Sequence, residues 1–229
     1  MKSTNQEISQ MTVTGNLKEA GRSVIETLMV ITIAGIITSV AVPQMLSARR
    51  LIRASSMARE VEAQMRFARQ QAMTQRQAIT FQYDNTTKTV KIYDHNNTNN
   101  ANAGCNMTGV AVLSASGYPN TACTTIMTTI PLATGANASE LTYGLPNGIT
   151  STTLDDGNTL TALSGSGLVN ITFQPDGTVV DASGNYTTAT IFFYNNQAPT
   201  QTASAISVLG AAGRIKVWRY SSSASKFAE

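Results

Sequence analysis

The chain has 229 residues, a formal net charge of +3 and 13% charged residues, about half of the ~25% typical of soluble domains. This length suits one domain with an appendage, and an apolar content of 42% argues against intrinsic disorder. Two cysteines and one histidine are too few for a Cys₄ or Cys₂His₂ zinc site, and neither the P-loop motif nor the zincin motif occurs. We therefore expect no cofactor and no metal.

The charges are unevenly distributed along the chain. Seven arginines lie between Arg49 and Arg76, and the only acids there are Glu60 and Glu62. From residue 92 to residue 213 there is no lysine or arginine, and all six charged residues are acidic. The C-terminal residues are again basic, so the chain has a basic stalk, an acidic middle and a basic tail.

An apolar segment from Val24 to Val42 is long enough to cross a membrane. Its 19 residues contain one charge, Glu26, and would span roughly 28 Å as a helix. The alternative is a signal peptide cleaved near Val42, but the run is longer than such segments usually are, and Pro43 would directly follow the cut. We therefore predict a retained helix. Because a carboxylate inside a membrane is costly, Glu26 is predicted to have a functional partner; the alternatives are a flanking charge or a pair with Arg22.

The helical pattern continues beyond Pro43, which should introduce a kink or a melted turn because proline removes a backbone donor. From Ser47 to about Gln77 we predict an amphipathic helix that packs closely on a sheet. Its arginines are predicted either to attract phosphate or to form a solvated face. The predicted buried stripe consists of small and medium residues spaced by four and three: Ala54, Ala58, Val61, Met65, Ala68 and Ala72.

After this helix the apolar pattern changes to a period of two, which is typical of strands. An Asn-rich stretch from Asp94 to about Asn106, which includes His95, predicts a mobile loop. Gln174–Gly177 has the proline and glycine of a turn. Strands are predicted at Ile79–Tyr83, Thr89–Tyr93, Val110–Leu113, Thr125–Ile130, Leu168–Phe173, Thr188–Tyr194, Ala205–Leu209 and Arg214–Tyr220.

The residues around the start of the apolar segment resemble the prepilin signal of type IV pilins and type II secretion pseudopilins. In that pattern a glycine precedes the cut, and a glutamate is the fifth mature residue. A cut after Gly21 makes Glu26 fifth, and it places Gly35 and Pro43 where many members have glycine and proline. The family usually starts the mature chain with Phe or Met, whereas this chain has Arg22 there, so the resemblance leaves N-methylation of Arg22 open.

The resemblance implies a division of the chain and a role for Glu26. Residues 1–21 would be a leader removed by prepilin peptidase, residues 22–46 a transmembrane and filament-core helix, and residues 47–229 a periplasmic head that includes the helix at 47–77. Glu26 would pair with the free amine that cleavage creates on residue 22 of a neighbouring subunit. The implied fold is α+β and pilin-like, with a long bent N-terminal helix packed on an antiparallel sheet.

Two segments in the second half resemble a narrower group, the GspH/FimT minor pilins and pseudopilins. Leu168–Gly177 resembles the strand and F-x-P-x-G turn of that group, and Gly213–Val217 resembles its closing G-R-x-[RK] strand. The resemblance implies an assembly or priming subunit whose partners are other pilins. The Asn/Thr-rich middle and the basic tail favour a type IV pilus; the alternative is a pseudopilin of the type II secretion system, because both machines share the N-terminal signal.

The closing strand also predicts a nucleic-acid surface. Alternation places Arg214, Lys216 and Trp218 on one face, and cations beside an aromatic ring suit single-stranded nucleic acid. FimT-like members are implicated in DNA uptake through this basic tail, so the resemblance implies DNA contacts at Arg214, Lys216, Trp218 and Arg219. The alternative is a last sheet strand with Trp218 half-packed and its cations in water.

The location of the head depends on the resemblance and on two cysteines. If Cys105 and Cys123 are bonded, they close a loop of about 19 residues, which stabilises the fold by roughly 3 kcal/mol, and disulfides persist in the periplasm; the alternative is two free, buried thiols. Arginines after the helix favour the opposite orientation by the positive-inside rule. We nevertheless predict a single-pass inner-membrane protein with a periplasmic head, because that is where the family places it.

An enzymatic function is not expected. A Ser–His–Asp arrangement would have to use the only histidine, His95, and no G-x-S-x-G motif accompanies it. Asp155–Asp156 lies in a Gly/Asn/Thr-rich loop without the ligand spacing of an EF-hand, so a solvated turn is favoured over a Ca²⁺ site.

Overall fold

The computed structural model describes residues 24–95, 124–135, 138–149, 152, 167–181 and 185–229. The chain forms two compact units that meet between Gln44 and Met45. In chain order the elements are α1 (Val24–Gln75), β1 (Ile79–Asp84), β2 (Thr89–Asp94), β3 (Thr125–Pro131), β4 (Leu141–Tyr143), β5 (Leu168–Phe173), β6 (Val179–Val180), β7 (Ala189–Asn195), α2 (Pro199–Thr202), β8 (Ser204–Leu209), β9 (Arg214–Ser221) and β10 (Lys226–Ala228).

The first unit contains the apolar half of α1. An 18-residue window of this helix has a mean hydropathy of 2.1, and none of that window is buried. By length and composition the helix can cross a membrane, as the sequence predicts. An apolar helix surface of this size must be covered by lipid or by other helices, because its contact with water costs a large free energy.

The second unit, which we call the head, contains two five-stranded antiparallel sheets in its described part. Their strand orders are β3-β2-β1-β5-β6 and β10-β9-β8-β7-β4. Seven predicted strands are confirmed with small shifts at their ends, and the predicted turn at Gln174–Gly177 is closed by a hydrogen bond from the Gly177 amide to the Gln174 carbonyl. The predicted strand Val110–Leu113 lies outside the described residues.

The main core of the head lies between the C-terminal half of α1 and both sheets. The buried residues of α1 are the six of the predicted stripe, Ala54 to Ala72. Their small side chains let the helix backbone approach the strands closely, and Val61 and Met65 are completely buried. The sheet residues of the same cluster include Phe81, Tyr83, Ile92, Ile171, Phe173, Ile191, Ile206 and Val208.

A second, smaller core covers the other face of the second sheet. Phe227 of β10 is completely buried there, and its ring lies 5.6 Å from Phe192 and 5.3 Å from Tyr220 in edge-to-face arrangements. Trp218 of β9 belongs to the same cluster. The last strand therefore contributes to the packing of the head and does not simply extend from it.

Candidate functional site

Glu26 lies in the first turn of α1 as described and is exposed. An acid in the first turn is favoured by the helix dipole. Gly21 and Arg22, the predicted processing residues, lie outside the described residues. The processing site and the predicted partners of Glu26 therefore stay predictions.

Three hydroxyl groups in the apolar half of α1, those of Thr32, Thr38 and Ser39, donate hydrogen bonds within the helix. Thr32 donates to the Leu28 carbonyl at 2.8 Å, and Thr38 donates to the Ala34 carbonyl at 2.7 Å. Such bonds let hydroxyls lie in an apolar environment at little cost. Glu26 is the one charged residue from Val24 to Val42, and its carboxylate needs a partner from outside the described helix.

Gly35 and Pro43 both lie inside α1. An ideal Cβ placed on Gly35 has no heavy atom within 4 Å, so this glycine leaves room at the helix surface for a neighbouring helix. The helix continues through Pro43 to Gln75 without a break. The melted turn offered as one outcome at Pro43 is therefore not present, because the loss of one backbone donor leaves the hydrogen bonds of the adjacent turns in place.

Trp218, the predicted stacking platform of the closing strand, is buried. Its side chain is 5% exposed, and its Nε1 donates to Ser207 Oγ at 2.8 Å. Both faces of β9 are covered, since Ile215 and Val217 pack against the main core while Trp218 lies in the second one. A base could stack on the indole only if the ring left this packing. Trp218 is thus more buried than in either sequence-based prediction, the exposed stacking platform or the half-packed strand residue.

The three cations of the closing strand lie in three different surroundings. Arg214 lines an open hollow with Arg66 and Arg69 of α1. Lys216 forms an ion pair with Glu229 and lies 4.8 Å from the centre of the Trp218 ring. Arg219 lines a separate groove against the start of the head part of α1. The predicted basic tail is therefore not one continuous patch.

Arg69 connects the two turns that carry the family-like motifs. Its Nε donates to the Gly177 carbonyl at 3.2 Å, and its Nη2 donates to the Ala212 carbonyl at 3.1 Å. A Cβ on Gly213 would overlap with the Gly177 carbonyl oxygen, so the two motif glycines are in direct backbone contact. The sequence analysis missed this role, because the position of Arg69 off the buried stripe indicated only a phosphate contact or a solvated face.

His95 is buried rather than part of a mobile loop, and the prediction of mobility at this residue is wrong. It is 4% exposed, and its Nε2 lies 2.6 Å from Thr80 Oγ1, which is 2.8 Å from Thr172 Oγ1. Burial lowers the pKa of His95 to about 4, so the imidazole is neutral at physiological pH. Its backbone amide donates to the Ala78 carbonyl at 3.3 Å, which holds it beside the sheet.

The remaining predicted sites lie outside the described residues. These are the two cysteines, Cys105 and Cys123, and the acidic pair Asp155–Asp156. Within the described ranges no group of three or more His, Cys, Asp or Glu residues could hold a metal ion.

Comparison with known proteins identifies the family. A model of the family described as "Type II transport protein GspH" matches residues 57–211, which is more than half of the chain. The chain belongs to the GspH family. This match includes the F-x-P-x-G turn at Gly177, whereas the N-terminal signal and the closing strand lie outside it.

Two solved structures are similar to this GspH-family chain. Both are crystal structures of the type IV minor pilin FimU from Pseudomonas aeruginosa. The first has 21% identity and a TM-score of 0.41 and covers 76% of this chain and 91% of that chain. The second has 20% identity and a TM-score of 0.40 and covers 71% and 90%. No curated protein matches the chain.

Membership of the GspH family relates the long helix and the sheet head to assembly. Proteins of this family are structural, non-enzymatic subunits that assemble with other pilins or pseudopilins. The apolar half of α1 is the part suited to single-pass membrane anchoring.

Proposed function

We propose that this GspH-family chain is a minor pilin that is processed by prepilin peptidase and primes or joins a type IV pilus filament. The observation that carries the proposal is the exposed apolar half of α1 in a protein whose family assembles into filaments. Before assembly a bilayer would cover this surface, and in a filament the helices of other subunits would cover it. The head would lie in the periplasm and the helix in the inner membrane.

Processing after Gly21 is the first step of this proposal. Cleavage there creates an amine on Arg22, and an ammonium in apolar surroundings attracts the carboxylate of Glu26 on an adjacent subunit. Such a pair would favour one stagger between subunits. Mass spectrometry of the membrane-extracted protein should find Arg22 as the N-terminal residue, and an intact leader or a cut near Val42 would contradict the proposal.

A matched pair of substitutions controls that experiment. Gly21→Leu should block cleavage, because the bulkier side chain does not fit where the peptidase accepts glycine. Gly35→Leu changes the same residue type inside the helix and should leave processing intact. Equal cleavage of both variants would mean that another protease acts on the leader.

The alternative is a pseudopilin of the type II secretion system, and the family description "Type II transport protein" supports it. The two roles differ in the defect that deletion causes. Loss of surface pili with normal protein secretion supports the pilus, whereas accumulation of secreted proteins in the periplasm supports the secretion machine. The genes beside this one provide a second, independent distinction.

DNA binding during uptake is a second candidate function, which the hollow formed by Arg66, Arg69 and Arg214 favours. Guanidinium groups bind phosphates in bidentate fashion and do not need the buried Trp218. Arg66→Gln with Arg214→Gln in the detergent-solubilised full chain should flatten the salt dependence of binding by roughly two phosphate contacts. Arg59→Gln with Arg76→Gln is the control of equal charge, and an equal effect of both pairs would contradict a site at the hollow.

A further inference from the structure

One end of the head carries arginines that pair with few acids. Arg49 and Arg219 are exposed, and Arg50 donates to the side chain of Gln197 at 2.6 Å, a neutral partner. Glu140 lies nearby and is occupied, because it pairs with Arg53 at 3.8 Å and accepts a hydrogen bond from Asn195. In the described part of the chain no ion pair involves Arg49, Arg50 or Arg219. We call these three residues the arginine collar.

Exposed apolar side chains lie beside the arginine collar. Leu51 is 43% exposed and Ile52 is 66% exposed. Together with Arg219 they line a groove of about 310 Å³ between α1 and the segment formed by α2, β8 and β9. Hydroxyl and amide groups of Ser55 and Gln201 line the same groove. Arginines next to exposed apolar side chains suit the boundary between lipid headgroups and acyl chains.

The position of this surface in the sequence indicates what covers it. Arg49 follows the apolar segment that ends at Val42 by seven residues, so it is the first cation after the segment that can span the bilayer. Cations close to the end of such a segment lie at headgroup depth when the segment is inserted. The planar guanidinium group of arginine binds phosphate oxygens through two parallel hydrogen bonds. Anionic lipids present such phosphates at high local concentration and with a net negative charge.

We propose that the arginine collar binds anionic phospholipid headgroups. The part of the acyl chains next to the headgroup would lie in the apolar groove lined by Leu51 and Ile52. The inference rests on the proposed membrane anchoring of α1. It gives the unassembled subunit a preferred contact with the membrane surface, and it assigns Arg219 to the membrane rather than to DNA. It also gives a reason for arginines on the side of the membrane that the positive-inside rule disfavours.

The test uses the full chain, solubilised in detergent and titrated with single lipids under native mass spectrometry. The wild type should bind phosphatidylglycerol at least tenfold more tightly than phosphatidylcholine. Arg49→Gln, Arg50→Gln and Arg219→Gln together should lower phosphatidylglycerol affinity by roughly tenfold or more, since each arginine near an anionic surface contributes a factor of about five. Affinity for phosphatidylcholine should not change.

Three controls isolate the contribution of the arginine collar. Arg59→Gln, Arg76→Gln and Lys91→Gln remove the same charge elsewhere and should leave the lipid preference intact. Lysine at the three collar positions keeps the charge and should keep most of the preference. Extraction of the membranes at alkaline pH tests insertion itself, so failed insertion contradicts the anchoring, whereas insertion without lipid preference contradicts only the collar.

Two outcomes would overturn the inference. One is equal loss of phosphatidylglycerol binding in the collar variant and in the charge-matched control, which would show a general effect of net charge. The other is an unchanged lipid preference in the collar variant together with loss of crosslinking to neighbouring subunits, which would assign these arginines to a protein partner.

Discussion

At the scale of single residues, Gly177 and Gly213 show how two turns distant in sequence depend on each other. Both have positive φ values, 82° and 58°, which side chains other than glycine rarely adopt. The Arg69 guanidinium then bonds the carbonyl of Gly177 and that of Ala212 next to Gly213. A side chain at Gly213 would have to displace both the backbone and the arginine, so the requirement for glycine is steric as well as conformational.

Gly213→Ala should therefore destabilise the head strongly. The added Cβ would overlap with the Gly177 carbonyl oxygen, and we expect a loss of about 3 kcal/mol in the free energy of unfolding, measured by denaturant titration. Gly135→Ala is the matched control, because Gly135 has a φ of 61° and no atom within 4 Å of its ideal Cβ. It should cost only about 1 kcal/mol. Equal losses would mean that the turns move apart freely.

His95 should make the stability of the head depend on pH. Its pKa is lowered to about 4 in the folded protein from 6.5, so the unfolded chain binds more protons between these values and stability falls as the pH drops from 6.5 to 4. The Nδ1 atom has no partner among the described residues, which leaves a proton there uncompensated. The full loss is roughly 3 kcal/mol at pH 4.

The control for this pH dependence is His95→Gln, which keeps a polar group near Thr80 but does not titrate. Its unfolding free energy, measured from pH 7 to pH 4, should lack the slope attributed to His95. Identical pH profiles for the variant and the wild type would mean that carboxylates alone cause the acid sensitivity.

At the scale of elements, the head half of α1 shows a helix whose contact with the sheets depends on small residues. Ala68 and Ala72 are completely buried against the strands, while Ala63 lies on the exposed side of the same helix. Close packing leaves no space for additional methyl groups. The distance between α1 and the sheets is therefore set by alanines rather than by large apolar side chains.

Ala68→Leu should overpack this contact and destabilise the head by about 1–3 kcal/mol. Ala63→Leu introduces the same side chain on the exposed side and should change stability by no more than about 0.5 kcal/mol. Denaturant unfolding of both variants measures the difference. Similar values for the two would show that the helix is free to move outward from the strands.

Elements with a clear period were predictable from the sequence. Very short elements, and contacts between residues distant in the sequence, were not. The spacing of Ala54 to Ala72 identified the buried face of α1, because a helix repeats its contacts every 3.6 residues. The three-residue strands β4 and β10 are too short to show a period, and the sequence analysis missed them together with β6 and α2. The burial of His95 and of Trp218 depends on Thr80 and Ser207, which belong to other strands, so no local pattern could have indicated it.

At the scale of the whole molecule, the polar groups of the apolar segment differ in where their partners lie: some find one in their own helix, and others need one from another chain. The Thr32 hydroxyl donates a hydrogen bond within its own helix, whereas no hydrogen bond to the Glu26 carboxylate is seen among the described residues. In a filament an amine from a neighbouring subunit would compensate that charge. Insertion into the membrane and incorporation into the filament should therefore respond in opposite directions when the charge is removed.

Glu26→Gln should keep or improve membrane insertion, because a charge leaves the apolar segment. It should lower incorporation into the filament at least tenfold, which corresponds to about 1.4 kcal/mol. This is a lower limit, because removing one partner of a buried ion pair costs roughly 3–5 kcal/mol. Crosslinking to neighbouring pilins measures incorporation. Thr32→Val is the matched control, since it removes a polar group that already has a partner in its own helix, and it should incorporate like the wild type. If Glu26→Gln incorporates as well as this control, Glu26 is only a flanking charge and the stagger between subunits has another cause.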